Sequence, residues 1–273
     1  MKLRKASLAI ATGLALSLTL TACGGDSGSD DKKITIGIKF DQPGIGLKTT
    51  DGKYTGFDID VATYVAKELG YDAKDIEWKQ APSADRETLI RNGDVDFVVA
   101  SYTINDKRKA EVDFAGPYFL AHQDLMVRAD DNSITKATDL NSKKLCSVTG
   151  STPAQNVKDN LAPDADLKTY GGYSECLTGL ENKAVDALTT DDAVLAGYAT
   201  QKEHTGKFKL LGLKLSNEPY GIGLKKGDKE LRDKINKALE KMKKDNSWDE
   251  FVKKNFGSSN YKNEPAPEIT ETS

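Results

Sequence analysis

The chain has 273 residues, 39 lysines and arginines against 42 aspartates and glutamates, a formal net charge of −3 and 38% hydrophobic residues. An acidic balance of this kind gives no support to nucleic-acid binding, which needs a basic face. Without its leader and tail the chain keeps roughly 230 residues, enough for two small lobes with cores of their own.

Lys2, Arg4 and Lys5 precede an apolar run over residues 8–20. That run is too short to span a bilayer comfortably and ends in small residues, as secretory signals do. Leu20-Thr-Ala-Cys23 then resembles a bacterial lipobox cleaved before Cys23. The expectation is a lipoprotein signal peptide over 1–22, lipidation (palmitate included) at Cys23, and a flexible tether over 23–32. Loss of 1–22 removes three basic and no acidic residues, which takes the net charge from −3 to −6. Such a product sits at the outer face of the cell membrane and touches it through the lipid alone.

The rest alternates strands and helices. Ile34-Thr-Ile-Gly-Ile38 reads as a strand ending at Lys39. Val61, Ala62, Val65, Ala66 and Leu69 share one face of a helix over 58–69, which Gly70 stops. Ser83 is placed to cap a helix reaching Asn92 and Gly93, and a strand follows over 94–100. After the apolar Phe97-Val-Val-Ala100, the hydroxyls of Ser101 and Thr103 stand at a strand end, and Arg108 stands where a helix begins. Strand ends at a crossover are where open α/β sheets bind ligands, and a guanidinium fork with hydroxyls suits a carboxylate.

A second lobe starts near Leu125 and repeats the scheme: strand 145–148, helix 153–161, strand 167–170, helix 174–182, strand 185–189, helix 191–200 and strand 208–211. Gly150-Ser-Thr152, with Pro153 opening the helix, points backbone N–H groups at an anion, although Thr152 also suits an ordinary N-cap. Asp191 ends the next strand before its helix, and with Asp192 it could equally cap that helix. Asn217-Glu-Pro-Tyr220 leads to Gly221-Ile-Gly-Leu224, a long amphipathic helix covers 229–244, and Ser247-Trp-Asp-Glu250 reads as a capping box for a last helix to Phe256. Residues 257–273 have little apolar content and two prolines, which predicts disorder. Alternating strands and helices call for parallel sheets covered on both faces. Cys146 and Cys176 are about 30 residues apart in an exported chain, where an oxidising exterior favours a disulfide over two separate buried thiols.

The stretch Ser101-Tyr-Thr-Ile-Asn-Asp-Lys-Arg108, with Val112-Asp-Phe-Ala-Gly-Pro-Tyr118, resembles the amino-acid solute-binding proteins of ABC importers (family 3 extracellular solute-binding proteins). Phe40-Asp-Gln-Pro-Gly, Pro82-Ser-Ala-Asp-Arg-Glu-Thr-Leu-Ile90, Ser147-Val-Thr-Gly-Ser-Thr-Pro-Ala-Gln155 and Tyr220-Gly-Ile-Gly-Leu-Lys-Lys226 extend the likeness to actinobacterial glutamate-binding lipoproteins over essentially the whole mature chain. The resemblance implies a two-lobed α/β fold of the periplasmic-binding-protein type II kind. Its first lobe would hold 33–121 and 218–256, its second 125–214, with hinge crossings near 121–124 and 214–218. It implies that Ser101, Thr103, Arg108 and Thr152 hold a ligand's α-carboxylate and Asp191 its ammonium. Lys39, Ser83, Arg86 and Tyr173 would surround the side chain, where two cations favour an acidic ligand; Tyr173 departs from a histidine in one relative. Relatives with cysteines in the contexts of Cys146 and Cys176 add weight to a disulfide.

The implied function is capture of L-glutamate, and of L-aspartate in the same site, by a monomeric receptor that passes it to a permease driven by a cytoplasmic ATPase. No cofactor or metal is called for. A binder of glutamine or asparagine is the alternative, and a dehydratase on the same fold a remote one. His122 and His204 stand apart from any metal-like cluster or nucleophile–base pair, so an enzyme is not expected.

Overall fold

A computed structural model describes residues 32–259 and 261–272. The expected signal peptide, Cys23 and nearly all of the tether lie outside the described residues. The first strand β1 (Ile34–Ile38) leads to a small antiparallel sheet of β2 (Asp41–Gln42), β3 (Gly46–Lys48) and β4 (Tyr54–Thr55), then α1 (Phe57–Glu68) and β5 (Ile76–Gln80). Helix α2 (Arg86–Asn92), β6 (Phe97–Val98) and α3 (Asp106–Glu111) follow. The 16-residue strand β7 (Asp113–Arg128) then runs through both halves of the molecule.

Beyond it come β8 (Lys144–Val148), α4 (Thr152–Asn156), β9 (Asp166–Tyr170), α5 (Tyr173–Glu181), β10 (Ala187–Asp191), α6 (Asp192–Ala199) and β11 (Phe208–Leu210). The chain returns through β12 (Asn217–Leu224) and ends its regular structure with α7 (Lys229–Lys244) and α8 (Ser247–Phe256). One sheet path, β5-β1-β6-β12-β7-β10-β8-β9, joins the lobes, with β11 beside β7. The sheet is mixed where parallel pairing was expected. β1 pairs parallel with β5 and β6, and β8 with β9 and β10, but β7 meets β12, β10 and β11 antiparallel. The reason is the crossing itself: β12 returns along the strand that left, and pairs Asn217 with His122 and Leu224 with Asp113.

Apolar faces set the layers. Val61, Ala62, Val65 and Ala66 of α1 are buried, as the helical spacing requires, and Phe57 meets Phe119, Phe256 and Trp248 at ring-centroid distances of 5.0, 5.8 and 6.1 Å. The indole N–H of Trp248 donates to the Tyr118 carbonyl at 2.8 Å, which fixes α8 to the first lobe. A separate cluster of Leu125, Val127, Leu140, Leu145, Val157 and Ala187 forms a second core.

Local expectations shift at several ends. Asp85, not Ser83, is the residue before α2, because Ser83 is turned toward Lys39. The residue before α8 is Asn246 in a left-handed conformation; Ser247 is already helical, and its N–H is taken by the Asp245 carboxylate at 3.0 Å, so no Ser247 capping box forms. The helix expected over 153–161 starts at Thr152, which makes Pro153 its second residue, and widens into a π turn over Val157–Leu161. The tail is the largest departure. Residues 261–272 lack helix and strand but are anchored. The Tyr261 hydroxyl donates to Asp192, Glu264 takes both His122 and Lys214, and the Thr270 N–H donates to the Gly116 carbonyl. Polar anchors of this kind order a segment that its composition assigns to disorder.

Cys146 in β8 and Cys176 in α5 are joined by a disulfide with a Cα–Cα distance of 5.6 Å. Closing that loop constrains the unfolded chain by about 3–4 kcal/mol on the entropy relation. Replacing both cysteines by serine is expected to lower the melting temperature by about 10 °C in scanning calorimetry. An unchanged Tm would show that the bond does not constrain the unfolded state.

Candidate functional site

The strand ends of both lobes converge on one cleft. Lys39 follows β1, Ser101 and Thr103 follow β6, and Arg108 lies in α3, whose start is capped by Asn105 accepting the Arg108 N–H at 2.9 Å. From the other lobe come Thr152 opening α4, Tyr173 opening α5 and Asp191 ending β10. Lys39, Ser83, Arg86, Thr103, Arg108, Tyr173 and Asp191 are buried, and Ser101 and Thr152 half-buried.

Three cations are concentrated there. The Lys39 ammonium donates to the Ser83 hydroxyl at 2.7 Å. Arg86, 2% exposed, donates from Nη1 to the Ala100 carbonyl at 2.9 Å and stacks over Tyr102 at 4.0 Å, while its Nε has no partner. Arg108 donates from Nη1 to the Thr103 carbonyl at 2.7 Å and reaches the second lobe from Nη2 to the Gly150 carbonyl at 3.2 Å. Burial, and next the Arg86 charge, pull the Lys39 ammonium well below the usual lysine range. Burial and then Arg108 bring Arg86 down to about 10. Among the described residues neither Lys39 nor Arg86 pairs with a carboxylate, whereas Arg108 has Glu87 at 3.6 Å. Buried cations left in each other's field are costly, and an anion between them relieves the cost.

The anionic side is equally specific. Asp191 accepts the Tyr220 hydroxyl on Oδ2 at 2.5 Å, and its other oxygen is buried without a partner. Burial, followed by the charge of Glu218, holds the Asp191 carboxyl well above the ordinary carboxylate range. Tyr173, pushed up to about 12 by burial and then by Asp191, donates its N–H to Asp41 across the cleft at 3.0 Å. The lobes approach so closely that a Cβ on Gly150 would lie 2.7 Å from the Ala84 Cα, and one on Gly197 would collide with the Pro43 carbonyl. A cavity of about 860 Å³ between them is lined by Ser83, Thr103, Arg108, Thr152 and Glu218.

Four residues of this site are not apparent from the sequence. Asp58, with no exposure, accepts the Ser101 N–H and the Tyr118 hydroxyl, both at 2.7 Å; it holds Ser101 at φ 43, and burial raises its carboxyl to about 6. Gln42 accepts the Ser101 hydroxyl at 3.0 Å and keeps a buried Nε2 without a partner. Tyr220 and Glu218 enter from β12. Glu218 accepts the Thr103 hydroxyl at 2.7 Å and the Thr152 hydroxyl at 3.0 Å, both assigned from the sequence to a ligand carboxylate. Only the place of Tyr220 and Glu218 in a crossing could have flagged those two, and Asp58 and Gln42 lie in α1 and β2 with no such signal.

Buried cations and the buried Asp191 carboxylate thus meet at one cleft, and a family model described as bacterial extracellular solute-binding proteins, family 3, matches residues 34–258. The chain belongs to that family. It is 46% identical over 269 residues to the glutamate-binding protein GluB of Corynebacterium efficiens, covering 92% of this chain and 90% of that protein. To the ABC transporter glutamine-binding protein GlnH of Bacillus subtilis it is 39% identical over 226 residues, 82% of this chain and 81% of its relative. Among solved structures, an ancestral arginine-binding protein bound to arginine aligns with a TM-score of 0.77 at 38% identity, over 83% of this chain and 99% of that one. The fold is therefore the two-lobed periplasmic-binding-protein type II fold of family 3, and the relatives are named for binding, not for catalysis. Among the described residues no helix is long and apolar enough to cross a membrane.

Proposed function

We propose that this family 3 protein is the receptor of an amino-acid ABC importer and captures L-glutamate, with L-aspartate as a further ligand of the same site. Held at the outer membrane face by lipid on Cys23, it works as a monomer and presents the closed, loaded form to a permease with a cytoplasmic ATPase. The observation that carries the acidic preference is a buried Arg86 with an unpartnered N–H beside a buried Lys39, neither in an ion pair with a carboxylate among the described residues. A ligand side-chain carboxylate completes that pair together with the Ser83 hydroxyl, and Tyr173 closes the same end of the pocket. The α-carboxylate takes the Arg108 fork and the N–H groups where Thr103 and Thr152 stand; Ser101, whose hydroxyl donates to Gln42 and whose N–H donates to Asp58, meets the ligand as an acceptor, and the α-ammonium takes the free oxygen of Asp191. Contacts from both lobes to one molecule bias the open–closed equilibrium toward closure.

A polar neutral ligand is the second reading. The likeness to a glutamine-binding protein favours it, and an amide oxygen could accept from Lys39 and Arg86 as well. Calorimetric titration of the chain freed of residues 1–22 and of co-purified ligand, with glutamate, aspartate, glutamine and histidine, separates the two. Tight one-to-one glutamate binding with much weaker glutamine supports the acidic pocket, and glutamine equal or better overturns it. Arg86→Ala or Lys39→Ala is expected to weaken glutamate by about 30- to 100-fold, as loss of a charge-assisted hydrogen bond does, and glutamine far less. Equal losses for the two ligands would mean that these cations act only indirectly.

A further inference from the structure

Glu218 stands where the second crossing re-enters the first lobe, 4% exposed. One of its oxygens collects the hydroxyl protons of Thr103 from the first lobe, at 2.7 Å, and of Thr152 from the second, at 3.0 Å. Its other oxygen takes the Ser216 hydroxyl on the crossing itself at 2.6 Å. All four residues line the cavity between the lobes.

A hydroxyl has one proton. Once that proton is given to Glu218, the oxygen can offer a ligand only lone pairs. Thr103 and Thr152 therefore meet a ligand as acceptors, which suits an ammonium and not a carboxylate, and the carboxylate is left to Arg108 and main-chain N–H groups. The Glu218 charge also falls beside Asp191, so the region that would hold the ammonium carries two carboxylates and two oriented lone-pair donors. We propose that Glu218 is a positioning residue that fixes the polarity of the Thr103 and Thr152 hydroxyls and thereby makes the cleft demand an α-ammonium group. The proposal rests on the reading of the cleft as an amino-acid site and deepens it: simple dicarboxylates, which carry the same two anions without the ammonium, are rejected through Glu218.

The test compares L-glutamate with glutarate, its counterpart lacking only the ammonium, by calorimetry on the wild-type protein, Glu218→Gln, Glu218→Asp and the pair Thr103→Val with Thr152→Val. The wild-type protein is expected to prefer glutamate strongly. Glu218→Gln removes the charge, and its amide nitrogen, turned to the position that now accepts from both hydroxyls, donates to both and so reverses both; the glutamate-to-glutarate preference is expected to shrink by about tenfold or more, mostly through weaker glutamate binding. Glu218→Asp should restore part of the preference, and in the double-valine background Glu218→Gln should add little, since residues acting through one another are not additive. A preference that stays within about twofold while both ligands weaken together overturns the proposal, because a purely structural brace lowers both alike. Should Glu218→Gln fail to fold, the double-valine protein carries the same test, and an unchanged preference there overturns it. If wild-type protein ignores glutamate, the acidic-ligand reading has failed, and glutamine against glutaramate, its counterpart without the ammonium, decides the role of Glu218 by the same ratio.

Discussion

Replacing Arg108 by alanine is expected to abolish binding of every amino acid the protein recognises, a loss of about a thousandfold or more in affinity, in the range measured when one partner of a buried charge pair is truncated. Arg108 is 6% exposed, and its guanidinium touches both lobes, one Nη on the Thr103 carbonyl and the other on the Gly150 carbonyl. A ligand α-carboxylate placed on this fork completes a charge-assisted pair in surroundings where water does not compete. Lysine at 108 is not a conservative repair, because a single ammonium cannot reproduce two parallel donors fixed in a plane. The loss should be uniform across side chains, since the receptor reads the part that all α-amino acids share. Calorimetry checks the prediction, with thermal unfolding alongside to confirm that the variant still folds. Submicromolar affinity retained in Arg108→Ala would overturn the assignment of the carboxylate to this residue.

How much of this cleft could be read from the sequence depends on what surrounds each residue in the chain. Lys39 and Asp191 stand at strand ends and Arg108 in the helix after one, so a charge meets the edge of a sheet, and the resemblance to the family turns that coincidence into a binding role. Asp58 gives no such signal. It lies in the first turn of α1, where acidic residues are favoured by the helix dipole whether or not they are buried. Glu218 precedes a proline in a crossing and reads as a solvated charge, and only the pairing of β12 with β7 brings it between the lobes. The tail illustrates the same limit from the other direction. Its composition predicts disorder because composition registers apolar content, whereas Tyr261, Glu264 and the Thr270 N–H hold it through hydrogen bonds and ion pairs to residues more than 40 positions away. The mixed sheet escapes for a related reason, since alternation of strand and helix fixes the layers but not the direction in which a returning strand pairs.

The pH dependence of binding should carry the signatures of Asp191 and Lys39 on opposite limbs. In the ligand-free cleft the Asp191 carboxyl is held well above its ordinary range, by burial first and the Glu218 charge second. An ammonium placed against it favours the ionised form and lowers that value, so the bound state holds the proton less tightly than the free state. Binding then releases a proton, and affinity rises with pH across the window between the two values, by up to about tenfold per unit, then levels above the free-state value. For Lys39 the sign reverses. Burial and Arg86 pull the free ammonium well below its ordinary range, and a ligand carboxylate raises it again. Binding takes up a proton there, so affinity falls as pH rises above the free-state value of Lys39. Asp41, Asp58, Asp192, Glu218, Arg86 and Arg108 also act on one or other of these two groups, and titration of the ligand's own groups adds a background common to every variant. The assignment is therefore made by difference: Asp191→Asn should flatten the acid limb and cost about 100-fold or more at neutral pH, while Lys39→Met should flatten only the alkaline limb. Proton release and uptake can be read directly from calorimetric heats in buffers of different ionisation enthalpy. If Asp191→Asn leaves the acid limb in place, the ammonium is held by another carboxylate of the cleft, with Glu218 the first to replace.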